Sequence, residues 1–280
     1  MAKIIDGKAI SAKIREEIRN EVEDLKKRGI IPGLAVMIVG DDPASQIYVR
    51  NKEKACAEVG IYSEVIRLPQ DALQEEVIAK IEVLNARRDI HGILVQLPLP
   101  PQISAEAVIG KISPEKDVDA FCPENVGKIM TGNYALAPCT PAGIIELLEK
   151  SGVDICGKNC VVVGRSNIVG KPMAMLLLHK NGTVTVCHSK TQNLAEITRT
   201  ADILVVAVGK ARFITADMIK PGAVVIDVGM NRGSDGKLCG DVDFDAACKV
   251  ASMITPVPGG VGPMTVTELL KNTVKSSRPF

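Results

Sequence analysis

Tryptophan is absent, and Tyr and Phe contribute only 3 and 4 residues. The core must therefore be aliphatic, and aromatic platforms for stacking single-stranded nucleic acid are not expected. Charge of one sign is also lacking: 34 Lys and Arg face 33 Asp and Glu, a net charge of +1. Such a balance sets up no field that draws nucleic acid or an anionic membrane. No apolar run approaches the ~20 residues of a membrane-spanning helix. The opening Met1-Ala2-Lys3-Ile4-Ile5-Asp6-Gly7-Lys8 is charged at once and lacks a signal-peptide core, so a soluble cytoplasmic protein is expected. Among the eight cysteines there is no C-x-x-C pair. Cys156 and Cys160 are not followed by a second Cys or His pair at zinc spacing, which points to reduced structural thiols and no metal.

What is present is two series of short aliphatic runs. The chain has 280 residues, 46% of them hydrophobic, and a span of ~150 residues per domain suggests two domains. Leu34–Val39, Val65–Leu68 and Ile93–Leu97 form the first series. Cys160–Val163, Val184–Cys187, Ile203–Val208, Val224–Val228 and Ser252–Val257 form the second. The runs are continuous rather than alternating, as in parallel strands buried on both faces. Helical spacing fills the gaps. Ile10, Ile14, Ile18, Val22 and Leu25 make one apolar stripe, and Ser45 to Val59 and Leu73 to Leu84 read alike. Pro172 is expected at the first position of a helix. Strands alternating with helices give an α/β fold, with the break near Pro138-Cys139-Thr140-Pro141.

In the second half, Val161-Val162-Val163-Gly164-Arg165-Ser166 runs on to Val169-Gly170-Lys171-Pro172 as strand, turn and helix start. Amides at such a turn face a pyrophosphate. The pattern is not G-x-G-x-x-G, because Ser166 stands where the second glycine would be. One βαβ unit on, His188-Ser189-Lys190-Thr191 carries no acid to hold a ribose hydroxyl. Ser189 and Lys190, with Arg165, suit a 2′-phosphate, hence NADP; a solvated loop is the plain alternative. His91 and His179 read as structural, and His188 abuts the cofactor loop.

Three fragments of the chain carry further chemistry. Tyr48 and Lys52 are spaced i,i+4 and share a helix face. Gln96 ends an apolar strand, where α/β sheets place ligands. Pro258-Gly259-Gly260-Val261-Gly262-Pro263 leads into a last helix. Separately these read as a surface pair, a strand cap and a turn.

Together they resemble the bifunctional methylenetetrahydrofolate dehydrogenase/cyclohydrolases. The likeness runs through Tyr48-Val49-Arg50-Asn51-Lys52, Val95-Gln96-Leu97-Pro98-Leu99-Pro100, Lys116-Asp117-Val118-Asp119 and Pro138-Cys139-Thr140-Pro141. It continues in Gly164-Arg165-Ser166, Asp227-Val228-Gly229-Met230-Asn231-Arg232 and the Pro258–Val266 loop. The resemblance implies two α/β domains with an active-site cleft between them, the second a Rossmann-like doubly wound parallel sheet. Residues 1–139 plus 264–280 would form the folate-binding catalytic domain, and 140–263 the NADP-binding domain. The implied activity is oxidation of methylenetetrahydrofolate with NADP, then hydrolysis of the methenyl cation to 10-formyltetrahydrofolate, within one-carbon metabolism and purine biosynthesis. Lys52 would be the central catalytic group, with Gln96, Tyr48 and Asp119 around it. Substrate would also touch Val95, Leu97, Pro258, Gly259 and Gly260. Gly164, Arg165, Ser166, Ser189 and Met230 would hold NADP. A homodimer joined through the cofactor domain is implied as well. The alternatives are a dehydrogenase that has lost hydrolysis or prefers NAD, and a binding regulator without catalysis. The chain departs from the pattern at Asn85-Ala86-Arg87, where the family reads Asn-x-Asp, and at Ala120, where it has Gly. A positive φ at position 120 would strain alanine.

Overall fold

The structure, a computed structural model, describes residues 1–233 and 236–278. Its elements begin with β1 (Lys3–Ile4), α1 (Gly7–Lys27), β2 (Gly33–Val39), α2 (Pro43–Val59), β3 (Tyr62–Leu68), α3 (Gln74–Ala86) and β4 (Gly92–Val95). Three helices follow: α4 (Ala105–Ile109), α5 (Pro123–Thr131) and α6 (Cys139–Lys150). Next come β5 (Asn159–Val163), α7 (Gly170–His179), β6 (Thr183–Cys187), α8 (Leu194–Thr198), β7 (Ile203–Val206) and β8 (Val224–Asp227). The chain closes with β9 (Asn231–Arg232), β10 (Leu238–Cys239), α9 (Phe244–Ala247), β11 (Met253–Ile254) and α10 (Val261–Ser276). Pro172 is thus the third residue of α7 rather than the first. It is tolerated there because the first-turn amides have no partner within the helix.

The chain forms two compact units, residues 1–12 with 140–265, and 13–139 with 266–280. This division differs from the expected one at residues 1–12 and 264–265; residues 279–280 of the expected segment lie outside the described residues. The N-terminal difference has a plain cause. β1 pairs in parallel with β11, Lys3 opposite Met253 and Ile4 opposite Ile254, so the first strand completes the sheet of the other half. Two residues are too few to show a hydrophobic pattern.

The first unit holds a six-stranded sheet in the order β1-β11-β8-β7-β5-β6, all neighbours parallel. The strand order reverses between β5 and β7, the position at which a doubly wound sheet opens a crevice at its carboxyl edge. Its core contains Val161, Val163, Leu204, Val206, Val225 and Ile254. β6 is an edge strand and keeps Thr183, Thr185 and Val186 exposed, so burial on both faces does not extend to it.

The second unit holds the parallel sheet β3-β2-β4. β2 and β4 are buried throughout, while β3, at an edge, is only partly so. Alternate residues of β2 and β4 share one face, where Ala35, Met37, Ile93 and Val95 pack with Val77 and Ile81 of α3 to build the core. α2 starts because Asp42 accepts the Ser45 amide at 2.7 Å ahead of Pro43, and it ends at Gly60 in the left-handed region.

His91 ties β4 to β2. Its amide donates to the Gly33 carbonyl at 2.8 Å, and its ring Nδ1 accepts the Gly33 amide at 3.0 Å. Burial, and then the Lys116 charge, hold the imidazole below its ordinary 6.5, against a weaker opposing pull from Asp89. Protonation then favours the unfolded chain, so this stability is present above the ordinary value and is lost as pH falls through the depressed one. His91→Asn presents an acceptor that does not titrate. It is expected to flatten the fall in thermal midpoint between pH 7.5 and 5.5; an unchanged slope would clear His91 of the effect.

Candidate active site

Lys52 lies on α2, half-buried, four residues beyond Tyr48, which is 39% exposed. Gln96 follows directly on β4, and its amide donates to the Met37 carbonyl of β2 at 2.8 Å. Lys52 Nζ donates to Gln96 Oε1 at 2.9 Å. Gln96 Nε2 in turn donates to the Leu97 carbonyl at 2.6 Å. The carboxamide is therefore fixed with its oxygen toward the ammonium. Val95, the preceding residue, is buried in the core of this unit, and the peptide between Leu97 and Pro98 is cis.

Asp119 lies within electrostatic reach of Lys52, on a separately built turn. Ile93 donates to the Lys116 carbonyl at 2.7 Å, which lays residues 116–117 beside β4. Lys116 Nζ donates to the carbonyls of Leu84, Asn85 and Arg87 at 3.2, 2.8 and 2.6 Å. An ammonium thus caps the carboxyl end of α3, where cations are favoured. Asp117, 1% exposed, accepts the Cys122 amide at 2.8 Å and Asn125 Nδ2 at 3.2 Å, closing the turn around Asp119. Burial pushes the Asp119 carboxyl up from the usual carboxylate range, and the nearby Lys52 cation pulls it back.

Ala120 in this turn has φ of +55° and is fully buried. Left-handed geometry costs alanine about 1–2 kcal/mol. Ala120→Gly would remove that cost, but glycine's unfolded-state freedom costs about 0.4–1 kcal/mol. The lost methyl costs about 0.8 kcal/mol more. The positive φ taken alone would favour glycine; burial of the methyl cancels that gain. The expected result is a near-neutral change in the urea midpoint, and a loss above about 1 kcal/mol would show that the turn does not strain alanine. At the other departure, Arg87 bonds Glu64 at 2.7 Å and Asp89 at 2.6 Å, a surface ion network remote in role from the site.

In the other compact unit, Val163 pairs with Cys187, so the turns after β5 and β6 leave adjacent strands at one level. They present Arg165, Ser166, Ser189 and Lys190, all exposed. His188 orders the second turn: its Nδ1 accepts the Lys190 amide at 3.1 Å. Met230 stands beyond β8, 46% exposed. Pro258, Gly259 and Gly260 belong to this compact unit, as the expected division has it. The Gly259 carbonyl accepts the Lys8 amide at 3.1 Å, and a Cβ on Gly7 would lie 1.8 Å from the Gly260 oxygen.

Residues 5–119 match the tetrahydrofolate dehydrogenase/cyclohydrolase catalytic domain, and residues 138–279 match the NAD(P)-binding domain of the same name. The bifunctional protein FolD of Acetivibrio thermocellus is 63% identical over 277 residues, covering 99% of this chain and 97% of that protein. The chain belongs to this family. The crystal structure of the bifunctional FolD methylenetetrahydrofolate dehydrogenase/cyclohydrolase from Campylobacter jejuni matches with a TM-score of 0.97 at 50% identity, covering 99% of both chains. The Trypanosoma brucei enzyme, solved with NADP cofactor and inhibitor, matches with a TM-score of 0.94 at 45% identity, covering 99% of this chain and 97% of that one.

The dehydrogenase/cyclohydrolase family carries a dinucleotide, and the β5–α7 turn fits one. A Cβ on Gly164 would stand 2.3 Å from the Ala207 carbonyl, and one on Gly170 would stand 2.2 Å from the Gly164 carbonyl. These glycines do the work of the first and last glycines of the usual fingerprint. Ser166 replaces the middle one, its Oγ accepting the amides of Val169 at 3.1 Å and Gly170 at 3.3 Å. Two residues of the folate unit escaped the sequence reading. Cys139, buried, donates to the Val118 carbonyl at 3.4 Å and neighbours Asp119; burial, then the Asp119 charge, pushes its thiol well above the ordinary value. Asn272 Nδ2 donates to the carbonyls of Val118 at 2.8 Å and Ala137 at 2.9 Å. Only the Pro138-Cys139-Thr140-Pro141 motif hinted at the first, and nothing in the last helix marked the second.

Proposed function

We propose that this chain oxidises 5,10-methylenetetrahydrofolate to the 5,10-methenyl cation with NADP and hydrolyses that cation to 10-formyltetrahydrofolate. The observation that carries the reading is the Lys52–Gln96 bond beside the Asp119 carboxylate, in a chain of this family. Hydrolysis adds water to the methenyl carbon and then breaks that carbon's bond to N5, so the water gives up both protons as its oxygen becomes the formyl oxygen: one ends on N5 and the other is released to solvent. Lys52 is the group we assign to both transfers: its free amine accepts the proton from the attacking water, and the ammonium so formed, held by Gln96 Oε1, delivers it to N5. Asp119 suits the guanidine-like edge of the pterin, whose N–H groups need an acceptor. Tyr48 offers a ring and a hydroxyl from the same helix face as Lys52; Val95 and Leu97 flank Gln96, and Pro258, Gly259 and Gly260 are assigned to substrate by resemblance.

NADP, when bound, supplies the hydride acceptor for the oxidation. Gly164, Ser166 and Met230 are the residues we assign to its body, and Arg165, Ser189 and Lys190 to its 2′-phosphate. A homodimer joined through this unit is supported by the open edge of β6, where Val186 is 39% exposed. A cytoplasmic location is supported by eight free cysteines; among the described residues no helix is long and apolar enough to cross a membrane.

Mixing the chain with methylenetetrahydrofolate and NADP is expected to raise the NADPH and methenyl absorbances together. Absence of both signals would refute the reading. Arg165→Ala is expected to raise the apparent constant for NADP far more than that for NAD. Equal losses would free Arg165 of any part in reading the 2′-phosphate.

A further inference from the structure

The carboxyl ends of β7 and β8 are gathered by two buried aspartates that the catalytic assignment leaves unused. Asp241, between β10 and α9, is fully buried. Its Oδ2 accepts the amides of Val208 at 2.6 Å and Gly209 at 2.9 Å. Its Oδ1 accepts the Lys210 amide at 2.9 Å and Asn231 Nδ2 at 2.8 Å. Asp227, 2% exposed at the end of β8, backs it. Asp227 Oδ1 accepts the amides of Gly229 at 2.9 Å and Asp241 at 2.8 Å, and Oδ2 accepts that of Val242 at 2.9 Å. The approach is so close that a Cβ on Gly229 would lie 2.3 Å from Asp241 Oδ1, and one on Gly240 would lie 1.8 Å from Asp227 Oδ2.

Three successive amides form the kind of concavity that binds an external anion. Here the protein's own carboxylate fills it. The amides after β7 are thereby spent, and the loop they belong to is fixed. The loop after β8, which carries Met230 between Gly229 and Asn231, is fixed by the same two carboxylates. A dinucleotide lies across the reversal point of a doubly wound sheet. With Arg165, Ser189 and Lys190 at the ends of β5 and β6 taking the adenosine half, the other half falls to the ends of β7 and β8.

We propose that Asp241, backed by Asp227, is the positioning residue for the nicotinamide half of NADP, clamping the two loops on which that half lies. The inference rests on the reading that this unit holds NADP. It makes binding of the whole dinucleotide depend on a side chain that does not touch it, and binding of the adenosine half independent of that side chain.

Calorimetric titration with NADP and with 2′,5′-ADP, which carries the adenosine half alone, tests this without turnover. Asp241→Asn keeps the shape but turns half of the acceptor pair into a donor facing donors. It is expected to weaken NADP about tenfold or more, as for a lost charge-assisted hydrogen bond. Binding of 2′,5′-ADP is expected to stay within about twofold. Unchanged NADP binding overturns the proposal, and so does an equal loss of both ligands, which would mark Asp241 as a support of the whole unit. If the wild-type chain binds neither, the reading of the unit as an NADP site has failed first. Should Asp241→Asn not fold, Asn231→Ala removes one of the four donors and leaves the amides. It is expected to weaken NADP about threefold with 2′,5′-ADP unaffected, and no change in NADP overturns the proposal.

Discussion

Lys52→Met is expected to remove methenyltetrahydrofolate hydrolysis by a factor of about 10²–10⁴, the usual consequence of losing a general acid–base group. That factor corresponds to roughly 3–5 kcal/mol of barrier. The fold should survive, because Lys52 is half-buried and its partner Gln96 retains the Met37 and Leu97 carbonyls. Oxidation should fall much less. The methylene carbon surrenders a hydride directly, so no base is needed, and Lys52 contributes there only by placing the folate. The measurement is the decay of methenyl absorbance above the uncatalysed background, beside NADPH formation in the same preparation. Near-normal hydrolysis would leave Lys52 an ordinary helix lysine whose bond to Gln96 serves the fold.

Gly164→Ala should have the second large effect, and in the opposite activity. Gly164 has φ of +139°, a region that alanine rarely enters. The added methyl would meet the Ala207 carbonyl carbon at 3.1 Å and its oxygen at 2.3 Å. Neither strand can yield easily. The Gly164 amide is bonded to the Cys187 carbonyl at 2.9 Å, and the Ala207 amide to the Val163 carbonyl at 2.8 Å. Backbone strain and overpacking together should cost about 2 kcal/mol or more. NADP binding should weaken more than about tenfold as the turn is pushed off the sheet. Hydrolysis of methenyltetrahydrofolate, assigned to the other compact unit, should change least. NADP affinity and the denaturant midpoint are the two readings, and wild-type values for both would mean that the turn is looser than its contacts imply.

The parallel strands were legible because β2, β4 and β7 are buried throughout and carry no polar residue to blur the pattern. Gly164 and Gly170 were legible as a turn, and Lys52 and Tyr48 as one helix face. What stayed hidden depends on partners distant along the chain. Lys116 reads as a surface charge until α3, some thirty residues earlier, brings its last carbonyls to it. Asp241 reads as a loop acid until amides 31 to 33 residues away converge on it. β1 is too short to announce its pairing with β11. Ala120 was the one instance in which a local rule met a local signal. The positive φ is there, but full burial of the methyl cancels the gain that glycine would otherwise bring.

The segment from Lys116 to Asp119 has a consequence for how such chains can diverge. Loops are ordinarily where related proteins gain and lose residues. Here consecutive side chains face different obligations: Lys116 caps α3, Asp117 closes the turn, and Asp119 meets the Lys52 charge. One inserted or deleted residue would hand each task to the wrong side chain at once. A single substitution can be tolerated, as at Ala120, but a change of length cannot. The stretch is therefore a loop with the length tolerance of a strand interior, and lineages that vary in the neighbouring Arg87–Asp89 turn should keep its spacing unaltered.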